Sequence, residues 1–207
     1  EDFILEKAQN SLNLDYPNAK LRIIFITDGS SDKTVELLKT VNGIEVLHED
    51  RRAGKSAAEN RAMTFVKSPI VVFCDANTIL NKECIKELVK HYANPRVGGV
   101  SGEKRVMIKD SDNASAAGEG IYWKYESTLK KWDYELYTIV GAAGELVSFR
   151  TDLMTDLEED TILDDFMQSL RICKQGYRFA YEPNAYAMET SSENVKEELK
   201  RKVRIAA

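Results

Sequence analysis

Two apolar, β-branched runs in this chain end within two residues of an aspartate: LRIIFI over 21–26 leads through Thr27 to Asp28, and IVVFC over 70–74 leads at once to Asp75. Runs of five or six such residues are strand length, and the polar cluster from Thr27 to Ser31 offers N-caps for a helix carrying Thr34, Leu37 and Leu38. The cadence then repeats. A strand over Ile44–His48, a polar loop from Glu49 to Gly54 and a helix from Ser56 to Val66 lead into the strand Ile70–Cys74. Strands alternating with helices need crossover connections, which predicts an α/β fold with a Rossmann-like, mainly parallel sheet flanked by helices.

Further along, Ile85, Leu88, Val89 and Tyr92 share one face of a helix expected over Lys82–Tyr92, stopped by Asn94 and Pro95, and a short strand over Val97–Ser101 follows. The second half is less regular. A long aromatic helix from Ala114 to Tyr134 carries Tyr122, Trp123, Tyr125 and Trp132, and the small residues Gly141 to Gly144 come after it. A carboxylate cluster, Glu158, Glu159, Asp160, Asp164 and Asp165, then precedes a helix ending at Lys174, a Gly176 stop, a strand over Tyr177–Tyr181 and a charged C-terminal helix. At the other end Glu1–Leu14 already has helical spacing, so the chain is expected to begin mid-fold. With 207 residues it is a single domain.

Several function classes fall away on material grounds. Lys and Arg number 29 against 34 Asp and Glu, a net charge of −5, so no broadly basic nucleic-acid surface is expected. Cys74, Cys84 and Cys173 have no C-x-x-C spacing and read as buried, reduced thiols. His48 and His91 are the only histidines, too few for a triad or a histidine metal site. Ala53–Ser56 imitates the end of a Walker A loop, yet the earlier glycine of that loop is replaced by Glu49. No G-x-G-x-x-G occurs, and the sequon at Asn113 is incidental. No apolar run approaches the roughly 18 to 20 residues that cross a bilayer. Carboxylates must carry the chemistry.

Open α/β sheets bind ligands beyond the carboxyl ends of their strands, where Asp28 and Asp75 stand. Asp28 either caps a helix or holds a ligand. Asp75 has Asn77 two residues on, a second hard oxygen of the kind a cation bridging phosphates requires. Lys55, near a helix start, is placed for an anionic phosphate or else is a solvated helix-end lysine.

Taken in order, TDGSSDKT, RRAGKSAAEN, the DANT that follows a strand, GAAGELVSFR and LDDFMQSLRICKQGYRFAYEPNA resemble the family 2 inverting glycosyltransferases of GT-A fold, from about Leu21 to Ala207. Asp28, Gly29, Ser30, Asp32 and Thr34 match the family's D-D-G-S-x-D-x-T, with Thr27 in place of its first Asp, and Gly54, Lys55 and Asn60 match G-K-x-x-A-x-N. Asp75, Ala76 and Asn77 stand where the family has D-x-D, and Asp164 and Asp165 where it has an acidic pair followed by a G-aromatic dipeptide, here Gly176 and Tyr177.

The resemblance implies a nucleotide-sugar half over about residues 1–105 and an acceptor half over about 106–207. Asp28, Lys55 and Asp75 would hold a nucleotide-diphosphate sugar, Asp75 and Asn77 a Mg²⁺ or Mn²⁺ ion, and Asp165 beside Asp164 would be the catalytic base. Tyr122, Trp123 and Glu126 are the expected acceptor wall for a saccharide or lipid-linked acceptor, whereas Tyr125 and Trp132 are expected in the core. Two departures stand out. Of the Q-x-x-R-W of processive members only the arginine is kept, among Arg201, Arg204 and Ile205, which argues against a processive polymerase; Arg204 would face the diphosphate or simply end a basic helix. The family's first strand and its P-x-x-N-E loop would precede Glu1, so the sequence is expected to be a fragment or its sheet incomplete. Members with such C-terminal segments are often followed by membrane helices, which implies work at the cytoplasmic face of a membrane. The softened TDG and DAN motifs also suit a non-catalytic nucleotide-sugar binding module, and a nucleotidyltransferase would instead need a basic, glycine-rich N-terminal loop.

Overall fold

The computed structural model describes residues 1–107, 114–142, 144–158, 161–190 and 203. Thirteen main elements follow in the order α1 (Ile4–Leu12), β1 (Ile24–Asp28), α2 (Thr34–Lys39), β2 (Glu45–Glu49), α3 (Lys55–Met63), β3 (Ile70–Cys74), β4 (Thr78–Leu80), α4 (Cys84–Val89), β5 (Val97–Met107), α5 (Ala114–Leu136), β6 (Leu146–Arg150), α6 (Asp164–Lys174) and β7 (Arg178–Thr190). The α/β reading stands. Strand direction is where it needs correcting: β1 pairs with β2 in parallel, but the five-stranded sheet, ordered β3-β6-β5-β7-β4, has one parallel pair, β5 with β7, and three antiparallel ones. The regular βαβ cadence ends at Cys74. Beyond it β4 pairs antiparallel with the far end of β7, and β6, a strand the sequence reading did not identify, runs antiparallel between β3 and β5.

Period-two alternation sorts the strand residues to two faces. Val72 and Cys74 on β3, Leu146 on β6 and Ala180 on β7 join a cluster with Cys84, Ile85 and Leu88 of α4. Val71, Phe73, Val147, Phe149, Phe179 and Tyr181 point the other way and pack with Ile172 of α6. Ile4 and Ala8 of α1 and Leu38 of α2 make a third cluster over β1 and β2. Gly99 is required where it is, because a Cβ there would stand 2.1 Å from the Phe179 ring.

A register shift bends the sheet at the site end. Gly102 pairs with Glu182 but Glu103 pairs with Tyr186, so three residues of β7, Pro183 to Ala185, bulge out of the ladder. Proline cannot donate to a ladder and is tolerated at such a bulge. The bend matters for topology. β3 and β4 stand at opposite ends of the strand order, four spacings of about 4.8 Å apart on a flat sheet, yet Asp75 to Asn77 alone connect them and about 14 Å is their reach. The sheet therefore folds over, and that turn lies across its end.

The remaining differences are local. The strand expected to stop at Tyr181 continues through the bulge to Thr190, and the helix expected to reach Tyr92 closes as a 3₁₀ turn over Lys90–Ala93. None of the Thr27–Ser31 cluster caps α2; Asp32 accepts from the Thr34 amide at 3.0 Å. Tyr125 and Trp132, expected in the core, are 61% and 56% exposed, because α5 turns them away from the sheet. Cys84 is buried, and its thiol is pushed up to about 12 by that burial. Among the described residues, no helix is long and apolar enough to cross a membrane. Asn113, Glu159, Asp160, Arg201, Arg204, Ile205 and the expected C-terminal helix, apart from Val203, lie outside the described residues.

Candidate active site

Asp28 ends β1 and turns back over the loop before α3. Its Oδ2 accepts hydrogen bonds from the amides of Ala53 (2.9 Å) and Gly54 (2.7 Å), so it secures the entry to α3 rather than the helix that follows it in sequence. Gly29 behind it, with φ 66°, leaves no space for a side chain, since a Cβ would meet Arg52 Cβ at 2.6 Å. Asp28 Oδ1 is buried with no hydrogen-bond partner, with Arg61 Nη1 3.8 Å away. One oxygen of Asp28 thus fixes the loop before α3, not the helix that follows it in sequence, and the other faces Arg61.

Lys55 is the first residue of α3 and is half exposed at the centre of the cleft. Its Nζ lies 3.0 Å from Asp164 Oδ2, 3.5 Å from Asp75 Oδ1 and 3.8 Å from Glu59 Oε1. Burial alone would lower its pKa, but the three carboxylates together raise it, so it is a fixed cation. Asp165 borders the same space. A Cβ on Gly144 would stand 3.1 Å from Asp165 Oδ2 and 3.4 Å from Lys55 Nζ, and Lys55, Glu59, Gly144, Asp164 and Asp165 line one small cavity. Residues 75 and 165, ninety positions apart, thus border the space around Lys55, Asp75 as an ion-pair partner and Asp165 beside Gly144.

Electrostatics in the cleft are dominated by excess negative charge. Asp165 is pushed up to about 6, first by burial and then by the adjacent Asp164. Glu59 is pushed up to about 9 by burial with Asp164 beside it. Asp75 is raised by burial, with Glu145 and Glu189 adding to the effect and Lys55 opposing it. A further lysine, Lys104, is buried beside these acids: its Nζ is 2.7 Å from Glu145 Oε1 and 2.5 Å from Glu189 Oε2, and it lies 5.0 Å from the centre of the Trp123 ring. Asn77 Nδ2 donates to Glu189 Oε1 at 2.8 Å, leaving its carbonyl oxygen as the side chain's remaining acceptor.

A hard divalent cation fits this chemistry. Six carboxylates surround two lysines, and Asp75 with Asn77 offers two oxygens. Among the described residues, no cluster of three or more His, Cys, Asp or Glu is spaced to hold a metal ion unaided. Such a site suits Mg²⁺ or Mn²⁺, which complete their coordination with phosphate oxygens and water.

Asp28, Lys55, Asp75, Asn77, Asp164 and Asp165 are therefore brought to one region. Trp123 is engaged with Lys104 rather than standing open as a wall, Glu126 is half-buried on α5, and the Tyr122 side chain lies outside the described set. The sequence reading missed Glu59, Lys104, Glu145, Glu189 and Gly144. Glu59 had a usable signal, being four residues after Lys55 on one helix face; Lys104 and Glu189 come together only through the β5·β7 ladder.

Known proteins carry the same arrangement of elements. The family model described as glycosyl transferase family 2 matches residues 1–157. The beta-monoglucosyldiacylglycerol synthase of Trichormus variabilis is 28% identical over 185 residues, 83% of this chain and 38% of that protein. The poly-beta-1,6-N-acetyl-D-glucosamine synthase of Staphylococcus aureus is 29% identical over 195 residues, 89% of this chain and 46% of that protein. This chain thus spans less than half the length of these two relatives. Among solved structures, the mannosyltransferase PcManGT of Pyrobaculum calidifontis, in complex with GDP-Man and Mn²⁺, superposes with a TM-score of 0.81 at 24% identity, covering 99% of this chain and 57% of that one. S. aureus TarS 1-349, in complex with UDP-GlcNAc, gives 0.67 at 16% identity, with 94% and 56% covered. Those two likenesses establish a common fold.

Proposed function

The chain belongs to glycosyl transferase family 2, and on that premise we propose that it moves a sugar from a nucleotide-diphosphate donor to an acceptor hydroxyl with inversion at the anomeric carbon. The observation that carries this reading is that Asp75, ion-paired with Lys55, and Asp165, an acid of raised pKa, border the same cleft. Asp28 would bind the base or ribose, and Lys55 would hold the diphosphate. A Mg²⁺ or Mn²⁺ ion held by Asp75 and Asn77 would neutralise charge on the leaving diphosphate. Asp165 would take the proton of the attacking hydroxyl, an effect of about 10²–10⁴ in rate. Its neighbours favour this role: burial keeps it a stronger base than a solvated aspartate, and Lys55 keeps Asp164 occupied. Arg204 and the α5 residues Tyr122, Trp123 and Glu126 complete the proposal on the diphosphate and acceptor sides.

A saccharide or lipid-linked acceptor suits the named relatives, one making a glucosyl lipid and one a polysaccharide. Work at the cytoplasmic face of a membrane, through segments outside this sequence, belongs to the same proposal. The test is turnover of UDP- and GDP-sugars with and without Mn²⁺, following sugar release or transfer. Asp165→Asn should still bind donor but lose turnover by about 10²-fold or more; full turnover in that variant would remove Asp165 from the role of base. A second reading, a non-catalytic nucleotide-sugar binding module, is favoured by Thr27, whose hydroxyl is engaged with His48 Nδ1 at 2.8 Å, and by the neutral Asn77. Binding of donor without turnover in the full-length protein would select it.

A further inference from the structure

Lys7 is only 2% exposed, yet among the described residues it forms no ion pair. Its Nζ donates to the Thr78 carbonyl at 2.8 Å and sits 3.4 Å from Thr78 Oγ1. Burying an ammonium against neutral groups is costly, and a methionine of similar shape would fill the same space without that cost. The contact point is informative. Thr78 is the first residue of β4, and its hydroxyl donates to the Asp75 carbonyl at 2.8 Å, closing the turn that presents Asp75 and Asn77.

One helical turn further, Asn10 makes the same kind of contact. Its Nδ2 donates to the Leu80 carbonyl and its Oδ1 accepts from the Leu80 amide, both at 2.9 Å. β4 is three residues long and pairs with β7 on one side only, so residues 78 and 80 turn their backbone groups to the open side. Side chains three apart on α1 meet those groups in the place where another strand would lie. Helix α1 is thus a splint along β4, and Lys7 is its end nearest the cleft.

We propose that Lys7 is a positioning residue, holding the Asp75–Asn77 turn in the shape that binds the cation and diphosphate; this rests on the reading of that turn as the donor site. Through Thr78, the Lys7 ammonium fixes both the carbonyl that leaves the turn and the hydroxyl that closes it. The function of the buried charge is strength and direction of that hydrogen bond.

The test compares the intact chain with Lys7→Met, with Thr78→Val, and with Ile4→Val, which trims the core contact of the same helix without touching β4. Calorimetry with UDP and with GDP, each with Mn²⁺, is run below the unfolding temperature of every variant. Amide exchange of residues 75–80 is measured without ligand. Lys7→Met and Thr78→Val should bind nucleotide about tenfold more weakly, the loss typical of removing a partner behind a metal ligand, and should exchange the Asn77 to Leu80 amides faster. Ile4→Val should lower the melting temperature but leave both readouts unchanged. Should Lys7→Met fail to fold, Thr78→Val alone decides. Wild-type binding in Thr78→Val or in a folded Lys7→Met, or equal weakening in Ile4→Val, overturns the proposal. If the unmodified chain binds neither nucleotide, the donor-site reading fails, and the exchange rates still decide whether Lys7 fixes the turn.

Discussion

Asp165 makes the pH dependence of turnover a quantitative test. An aspartate in water ionises near 3.9 and would be fully ionised anywhere above pH 5. Burial and the neighbouring Asp164 charge instead push Asp165 up to about 6. If it is the base, about nine-tenths of the molecules carry the competent carboxylate at pH 7 and about one-tenth at pH 5, so kcat/KM should fall about tenfold between them. The sign is fixed by the chemistry, since a base must be deprotonated and the loss lies on the acid side. The assay is donor turnover at saturating Mn²⁺ from pH 5 to 8, with nucleotide binding followed in parallel to separate loss of the base from loss of the donor. Removing the like charge with Asp164→Asn should move the acid limb to lower pH without abolishing it, because burial is the larger cause. A profile flat from pH 5 to 7, with binding unchanged, would refute the assignment.

Lys55→Met should destabilise the fold in a pH-dependent way. Asp75 and Glu59 are raised in the folded state, so what their protonated forms contribute to stability is present at low pH and lost as pH rises through those folded values. Removing the ammonium raises them further. The melting-temperature deficit of the variant should therefore be small at pH 5 and grow toward pH 8 through Asp75, while Glu59, pushed up to about 9, stays protonated in both proteins over that range; a deficit independent of pH would contradict this. Gly144→Ala should crowd Asp165 Oδ2 at 3.1 Å and shift that carboxylate by a few tenths of an ångström. Turnover should drop while urea unfolding changes by less than about 1 kcal/mol; an unaltered rate would mean that the carboxylate's placement does not matter.

The sequence made the first half legible because its signals are local. Ile70–Cys74 is a strand with the expected bounds, and Asp75 sits immediately after it. The second half was harder for identifiable reasons. Glu182-Pro183-Asn184 reads as the end of a strand, although the chain only bulges there and resumes pairing at Tyr186. Leu146–Arg150 alternates too weakly to be told from a loop, since both of its faces are covered and four of its five residues are buried. On α5 the aromatic residues gave no direction: Trp123 turns inward over a buried lysine, and Trp132 nine residues later is exposed. In the site, the acids that follow strands or open a helix were visible, whereas Glu145, Glu189 and Lys104 take their roles from a ladder whose register no single segment encodes.

Helix α3 is the strut between the two ladders. Arg61 reaches the Thr27 carbonyl at 2.9 Å on one side, while Ser56 donates to the Thr161 carbonyl at 3.0 Å and Asn60 grips both backbone groups of Leu157 at 2.8 and 3.1 Å on the other. Its sequence, KSAAENRAM, is small and polar, so it is pinned by aimed hydrogen bonds and not by an oily stripe. Such a fastening resists rotation more than it resists a change in volume. Any tilt of α3 carries Lys55 with it and is felt at the nucleotide side and at the base together, so the two walls of the cleft cannot be tuned independently.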